Sequence, residues 1–358
     1  MDTRQCLRVR LPLRSISIWR SILWLWPKVS MSKAALVGVD IGGTKTAVAL
    51  STEPPAILRR IAFETNADQD PRPTLARIKE AIREVISAQQ LDLADLQAIG
   101  VSCGSPLDEI NGVIQSPPNL PAWRDVPIKN ILEDEFKVKC FLGNDANAGA
   151  LAERAFGAAR GTQNMVFLTM GTGIGAGLIL NGQLYQGASK LAGEIGHVRL
   201  TQSGPIGHNK NGTVEGWVSG AGMAREARRI VEMEIARGGF TLLASCMGKD
   251  GDALSARDVW NAAQAGDDLA LNLVRATGER LGEAMAILVD VLNPECIVVG
   301  GLAVRMGEAL LGPARAVVAR EALTGSSGVC RIVAAELGEQ IGDAAALCVA
   351  LEGLRRDR

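Results

Sequence analysis

Two segments of the chain share one pattern, in which an apolar strand, a glycine-rich corner and a second strand follow each other. The first hairpin covers residues 35–50 with its corner at 41–45, and the second covers residues 164–180 with the glycine run 171–177. The length of 358 residues also exceeds the roughly 100 to 200 residues that one domain takes. We therefore predict two lobes with a cleft between them.

Helices and strands alternate along the rest of the chain. Apolar spacing predicts helices at 77–90, 146–156, much of 222–292 and 343–354, and strands at 96–103, 138–144 and 296–299. This alternation predicts an α/β protein. We place a smaller lobe at residues 31–148 and a larger one at 149–358, with the last helix expected to pack back on the smaller lobe.

Composition limits the kind of partner. A formal net charge of -1 gives no general attraction to nucleic acid or to an anionic membrane, and no apolar run is long enough to span a bilayer. The seven cysteines are scattered without a C-x-x-C pair, which indicates buried free thiols in a reducing cytoplasm.

Residues 1–30 are basic and contain three tryptophans. They could form a targeting or membrane-surface helix, but we interpret them as a disordered extension or start-site artefact without a role in catalysis.

The first corner combines an acid, two glycines and a threonine. Gly42 and Gly43 would let backbone N–H groups approach phosphate oxygens that a Cβ would keep away. Asp40 could position a hydrated Mg²⁺, with Thr44 and Lys45 beside it. The alternative interpretation is an ordinary hairpin turn.

The second corner superficially satisfies the dinucleotide fingerprint G-x-G-x-x-G/A. That motif needs a helix after its glycines, whereas a strand and the turn pair Asn181-Gly182 follow here, so we reject a Rossmann site. No P-loop motif occurs in the chain. The remaining hypothesis is that Gly171, Thr172 and Gly173 bind the same phosphate chain as the first corner. Gly300-Gly301 could pass beneath an adenosine, although a plain strand-to-helix turn explains this pair as well.

Polar residues that suit sugar chemistry occur at two places. Asp145 follows a predicted strand and could act as a general base, with Asn144 binding neighbouring hydroxyls; either residue could instead cap the next helix, and both roles can coexist. Glu194 and His197 offer a carboxylate and an imidazole for further hydroxyls. A zincin site is not indicated, because the second histidine of H-E-x-x-H is missing.

These motifs, in this order, resemble those of the ROK family (repressors, open reading frames and kinases) of the actin-like ATPase superfamily. The resemblance covers residues 35–354 and rests on D-I-G-G-T-K at 40–45, N-D-A-N at 144–147, G-T-G-I-G at 171–175, G-E-I-G-H at 193–197 and G-G at 300–301. It implies a two-lobed, ribonuclease H-like fold and an ATP- and Mg²⁺-dependent sugar kinase, usually a homodimer.

The resemblance also implies roles for individual residues. Asp145 would be the catalytic base, and glucose is the first guess for the acceptor; N-acetylhexosamine, fructose or allose are the alternatives. The implied sugar contacts are Gly104, Asn119, Asn144, Asp145, Glu194, His197 and Glu215.

One departure concerns zinc. Zinc-containing members carry C-x-C-G-x-x-G-C-x-E after the histidine, whereas residues 206–215 read I-G-H-N-K-N-G-T-V-E. All three cysteines are absent, and His197 with His208 cannot supply four ligands. We therefore predict that there is no structural zinc and that the loop is held by packing around Trp217.

Two other functions remain to be weighed. A transcriptional repressor of this family would need a DNA-binding module, for which residues 1–39 offer no pair of amphipathic helices. A non-catalytic sugar sensor would not need the complete set of ATP residues. We therefore favour the kinase.

Overall fold

The computed structural model describes residues 34–247 and 254–357. The interpretation of residues 1–30 lies outside the described residues. None of the helices in the described ranges is long and apolar enough to cross a membrane.

The first half of the chain forms a five-stranded mixed sheet in the order β3-β2-β1-β4-β7. Strands β1 and β2 form the first hairpin, and β1, β4 and β7 run parallel. The strands are β1 (Ala35–Ile41), β2 (Lys45–Ser51), β3 (Arg59–Glu64), β4 (Leu96–Cys103), the short pair β5 (Leu107–Asp108) and β6 (Val113–Ile114), and β7 (Lys139–Asn144). The helices are α1 (Pro71–Ser87), α2 (Ile128–Phe136) and α3 (Asp145–Phe156).

The second half repeats this topology in the order β10-β9-β8-β13-β14. Its strands are β8 (Met165–Met170), β9 (Ile174–Leu180), β10 (Gln183–Tyr185), β13 (Cys296–Val299) and β14 (Arg331–Ala334), with a separate ribbon of β11 (Ile206–Gly207) and β12 (Lys210–Asn211). Its helices are α4 (Val214–Val218), α5 (Gly220–Ala236), α6 (Ala256–Gln264), α7 (Asp268–Leu292), α8 (Leu302–Met306), α9 (Glu308–Glu321), α10 (Thr324–Ser327) and α11 (Ile341–Arg356). Both hairpins therefore occupy equivalent places in equivalent sheets.

The last helix lies on the first sheet, although it follows the last strand of the second. Gly38 of β1 and Gly100 of β4 are neighbours in register. A Cβ at Gly100 would collide with the carbonyl of Ala346, and one at Gly38 would lie 2.9 Å from the backbone nitrogen of Leu347. The two glycines thus let the backbone of α11 approach the sheet closely.

Three expectations need correction. The second corner is shorter than the glycine run 171–177, because β9 already begins at Ile174 and Gly177 lies against the start of α3. The edge strands β3 and β14 are real strands that the sequence did not indicate. Among the described cysteines, Cys246 is exposed and Cys330 is only half-buried. The other four described cysteines are buried, as predicted.

Candidate active site

The carboxyl ends of three parallel strands meet at one edge of the first sheet. The strand register places Asp40 beside Ser102, and Cys103 beside Asn144. Asp40 and Asp145 consequently lie close together. The charge of Asp145 raises the pKa of Asp40, and both charges raise the pKa of Cys103. In open α/β sheets this edge is where ligands bind.

The first corner is held in shape by hydrogen bonds to its own backbone. The N–H of Gly42 donates to the carbonyl of Lys45 over 3.0 Å, and the hydroxyl of Thr65 donates to the carbonyl of Gly42 over 2.7 Å. Thr44 and Lys45 are exposed at the tip. The corner therefore offers an ordered, accessible backbone to a ligand.

Asn119 lies between this corner and Gly104. A Cβ built on Gly43 would lie 2.6 Å from the carbonyl oxygen of Asn119, and one built on Gly104 would lie 3.3 Å from its side-chain Oδ1. The Asn119 residue is itself exposed. The structure thus brings Gly43, Gly104 and Asn119 together, as the sequence interpretation requires.

Asn144, and not Asp145, is the cap of helix α3. Its Oδ1 accepts hydrogen bonds from the N–H groups of Ala146 at 3.0 Å and Asn147 at 3.2 Å. Asp145 lies in the first helical turn and is exposed. Asn144 is therefore the cap, while Asp145 accepts the N–H of Ala146 over 2.8 Å and stays exposed.

The environment of Asp145 favours a proton on its carboxylate. Burial among protein atoms raises the pKa of Asp145 to about 6, and the charge of Glu194 acts in the same direction. Hydrogen bonds from the N–H of Ala146 and the amide of Asn144 lower it in part. Asp145 nevertheless keeps an exposed surface.

Asp40 is shifted in the same direction. Burial raises the pKa of Asp40 to about 7, and the charges of Asp145 and Asp343 add to this, while Ser102 and Arg60 oppose it. Asp343 is itself paired with Arg60 over 2.6 Å. A cation beside Asp40 would stabilise its charged form. The carboxylate oxygens of Asp40 are the type of ligand that suits a hard ion such as Mg²⁺.

A loop residue that the sequence analysis missed supports the turn at Asn144. Glu109 accepts a 3.1 Å hydrogen bond from the backbone N–H of Asn144 and another from the side chain of Gln186 in the second half. The side-chain amide of Asn144 donates to the hydroxyl of Ser105 over 2.9 Å. Glu109 thereby links Asn144, next to the candidate base, to Gln186 in the second half. No local sequence pattern around Glu109 predicts this role.

The second corner lies beside Gly300-Gly301. The N–H of Gly171 donates to the carbonyl of Gly173 over 3.0 Å, and the carbonyl of Gly171 accepts from Gly220 at the start of α5 over 2.8 Å. Gly301 has a φ of 63°, and a Cβ there would collide with the carbonyl of Met170. The structure therefore joins two segments that the sequence predicted separately.

A cavity opens next to this junction. Its volume is about 380 Å³, and its lining comprises Ala256, Arg257, Trp260, Asn261, Leu302, Arg305 and Met306. Leu302 directly follows Gly301 in the chain. An aromatic ring and polar groups next to a glycine turn suit a planar heterocycle.

A group of acidic and imidazole side chains lies in the second half, and the charge of one member, Glu194, acts on Asp145. We call Glu194, His197, His208 and Glu215 the acceptor cluster. The Nε2 of His197 lies 3.9 Å from Glu194, its ring stacks on His208 with centroids 3.5 Å apart, and Nε2 of His208 lies 3.1 Å from Glu215. Burial lowers the pKa of His197, and the neighbouring His208 lowers it further.

The acceptor cluster connects the base to the second corner. Glu194 is close enough to Asp145 to raise its pKa, and Oε2 of Glu215 lies 2.8 Å from the place of a Cβ on Gly173. Neighbouring groups therefore run from Asp40 through Asp145 and the cluster to the second glycine corner. The structure thus brings Asp145 close to Glu194, and Glu215 close to Gly173.

The residues around His197 do not fit a zinc ion. Thr213 uses its hydroxyl to accept the N–H of Gly216, and Ile206 has no donor atom. Within the described ranges no group of three or more metal-binding side chains was found. The loop is instead packed around Trp217, whose indole N–H donates to Thr201 and whose ring lies 4.7 Å from the guanidinium of Arg280.

Comparison with known proteins gives a consistent result. A model of the ROK family matches residues 36–352. The chain is 33% identical over 312 residues to the glucokinase of Thermotoga maritima, covering 87% of this chain and 96% of the relative. It is 36% identical over 286 residues to the glucokinase of Halalkalibacterium halodurans, covering 79% and 84%.

A solved structure agrees with these sequence relatives. The ROK family glucokinase from Streptomyces griseus in complex with glucose and AMPPNP has a TM-score of 0.74 at 28% identity, covering 89% of this chain and 100% of that one. The likeness confirms the predicted two-lobed, actin-like fold. The chain belongs to the ROK family.

Proposed function

We propose that this protein is an ATP-dependent hexose kinase with glucose as its acceptor. The observation that carries the proposal is the position of Asp145, an exposed carboxylate whose charge acts on Asp40 before the first corner and whose pKa is raised by Glu194 of the acceptor cluster. The two glucokinase relatives and the S. griseus structure support a sugar kinase. N-acetylhexosamine, fructose and allose remain the alternative acceptors.

The nucleotide would lie along the second lobe. In this proposal the phosphates bind the corners at Gly42–Lys45 and Gly171–Gly173, and the adenine enters the cavity beside Gly300-Gly301. Asp40 would hold Mg²⁺ through water. When bound with ATP, this ion neutralises phosphate charge that would otherwise repel the acceptor oxygen.

The sugar would bind across the cleft. Gly104, Asn119 and Asn144 would contact it from the first lobe, and Glu194, His197 and Glu215 from the second. Carboxylate and imidazole groups accept and donate hydrogen bonds in fixed directions, so together they can select a pattern of hydroxyls.

Asp145 would then act as the general base. Its carboxylate accepts the proton of the acceptor hydroxyl while that oxygen bonds to the γ-phosphorus, the bond from phosphorus to the bridging oxygen breaks, and ADP leaves. The proton passes from Asp145 to solvent when the cleft opens. Contact of both lobes with the substrates excludes water and limits wasteful hydrolysis of ATP.

We also propose that the protein is a cytoplasmic homodimer. Ile287 and Val291 are exposed one turn apart on α7, and exposed Leu323 hydrogen-bonds through its N–H to Asp290 between them. An apolar patch of this kind suits a subunit interface. Light scattering should give about twice the 37.8 kDa of one chain.

The proposed activity is tested by ADP release with a panel of sugars. Glucose, mannose, fructose, allose, N-acetylglucosamine and N-acetylmannosamine are compared in the presence of ATP and Mg²⁺. The proposal expects the highest kcat/KM with glucose. Binding of a sugar without ADP release from any of them would instead identify a non-catalytic sensor.

A further inference from the structure

His208 occupies a central place in the acceptor cluster without being one of the implied sugar contacts. Its ring stacks on His197 at 3.5 Å with an angle of 18° between the planes, and its Nε2 lies 3.1 Å from Oε1 of Glu215. One side chain thus contacts two of the residues that would bind the sugar from the second lobe.

The backbone presents this ring in an unusual conformation. His208 and Asn209 form the corner between β11 and β12 with φ values of 50° and 57°. Residues other than glycine adopt such values rarely, and they persist where the surroundings determine them. Next in the chain, Lys210 donates from Nζ to the carbonyl of His197 over 2.8 Å. The His208 ring therefore contacts the side chain of His197, and Lys210 binds the backbone of the same residue.

We propose that His208 is a positioning residue for the acceptor sugar. Its imidazole fixes the ring plane of His197 by stacking and restrains the carboxylate of Glu215 through the 3.1 Å contact at Nε2. A metal ion cannot provide this connection here, because Ile206 and Thr213 stand where zinc-containing members have cysteines. The inference rests on the proposed sugar kinase function.

The position of Glu215 gives this role a consequence for phosphoryl transfer. Its Oε2 approaches Gly173 at the second corner, while its Oε1 faces His208. Fixing Glu215 therefore also fixes the distance between the acceptor site and the phosphate corner. Misplacement of reacting groups by about 1 Å can cost roughly 100-fold in rate.

Two substitutions separate the contacts that His208 makes. His208→Phe keeps a ring that can stack on His197 but loses the nitrogen that contacts Glu215, whereas His208→Gln keeps a polar side chain and loses the stack. We expect each to raise the KM for glucose by about tenfold and to lower kcat as well, with no effect on the KM for ATP. Asn209→Gly, which retains the backbone conformation of the corner, is the matched control and should stay within about twofold.

The two histidines of the described chain allow a direct spectroscopic check, because the sequence contains no others. In wild-type protein the stacked ring should shift the imidazole proton resonances of His197, and His208→Gln should move them back towards those of free histidine. Addition of glucose should perturb the His197 resonances in the wild type and in His208→Phe.

The outcomes distinguish the inference from the proposed function. An unchanged KM for glucose in both His208 variants, in an enzyme where Glu215→Gln raises it, would overturn the positioning role while leaving the kinase intact. Equal losses for glucose and ATP together with a lowered Tm would also overturn it, since they indicate a purely structural residue. Glucose binding is measured by calorimetry in parallel, so the glucose affinities of wild type and the His208 variants can be compared even without turnover. A wild type that binds no sugar contradicts both proposals.

Discussion

The Asp145 carboxylate combines an open face with a low-dielectric setting. It stays exposed in the first turn of α3, where Asn144 is the cap. Burial and Glu194 raise its pKa to about 6, which keeps it ionised at neutral pH while strengthening it as a base. The local arrangement of three side chains is what makes one aspartate suitable for proton transfer.

Replacing this carboxylate should separate turnover from binding. We expect Asp145→Asn to lower kcat by roughly 10² to 10⁴, the range usual for a general base, with little change in glucose affinity. Coupled ADP release and calorimetry measure the two quantities. Asp134→Asn on the exposed face of α2 is the control. Undiminished kcat in Asp145→Asn would remove Asp145 from the role of base.

The raised pKa also predicts a pH profile. Only the ionised carboxylate can accept a proton, and its ionised fraction falls as the pH drops through about 6. At saturating ATP and Mg²⁺, kcat/KM for glucose should therefore decrease about tenfold per pH unit below that value and level off above it. The residual activity of Asp145→Asn should lack this step. A wild-type profile that is flat between pH 5 and 8 would disagree.

At the scale of elements, α3 is anchored by a buried acid at its end. Glu153 is fully buried and accepts from the backbone N–H groups of Ala158 at 2.7 Å, Glu336 at 3.3 Å and Leu337 at 3.0 Å. These bonds connect α3 with the loop before α11. The helix that carries Asp145 is thereby fixed to the helix that lies beside Asp40.

Removing this anchor should destabilise the protein. Glu153→Ala leaves three partly buried backbone N–H groups without their acceptor, so we expect the free energy of unfolding to fall by about 1–3 kcal/mol. Glu153→Gln retains one acceptor oxygen and should lose less. Denaturant titration measures both, with Glu80→Gln on the exposed face of α1 as control. Equal stability of Glu153→Ala and wild type would contradict an anchoring role.

Some elements could be predicted from the sequence because their signals are local. The bounds of β4 and β13 were predicted correctly, since continuous apolar runs between turn residues mark buried strands. Strand β3 was missed because its residues alternate between exposed and half-buried at the edge of the sheet, with Arg59 and Arg60 in it. Strand β14 has only four residues and no clear pattern.

The candidate site likewise contains residues that local motifs predict and residues that they do not. The glycine corners and Asn144-Asp145 carry local motifs, so their presence could be predicted, while their roles stay predictions. Glu109 and His208 act through contacts with Asn144, Gln186 and Glu215 that depend on the folded arrangement of distant loops. Nothing in the neighbouring sequence signals such contacts, and only the structure reveals them.

At the scale of the whole molecule, two helices cross between the repeated sheets. Helix α3 follows β7 of the first sheet and packs against β8 and β9 of the second, whereas α11 follows β14 of the second and packs on β1 and β4 of the first. The two sheets are consequently joined through both helices. We propose that the lobes close about this crossing when both substrates bind.

The close contact of α11 with the first sheet can be tested separately. Gly100→Ala would push a methyl group into the carbonyl of Ala346, and we expect a loss of about 1–3 kcal/mol of stability from overpacking. Gly325→Ala, where the added methyl meets nothing within 4 Å, is the matched control and should be neutral or stabilising. Thermal unfolding compares the two. Similar Tm values for both variants would show that α11 does not approach the sheet this closely.

The central claim is that Asp145 faces the acceptor hydroxyl while the glycine corners of both lobes bind the triphosphate. A crystal structure with glucose and a non-hydrolysable ATP analogue measures this directly. The account predicts a sugar hydroxyl about 2.6–3.2 Å from the Asp145 carboxylate, with the γ-phosphate between the corners at Gly42–Lys45 and Gly171–Gly173. A sugar bound out of reach of Asp145, or phosphates bound away from both corners, would contradict it.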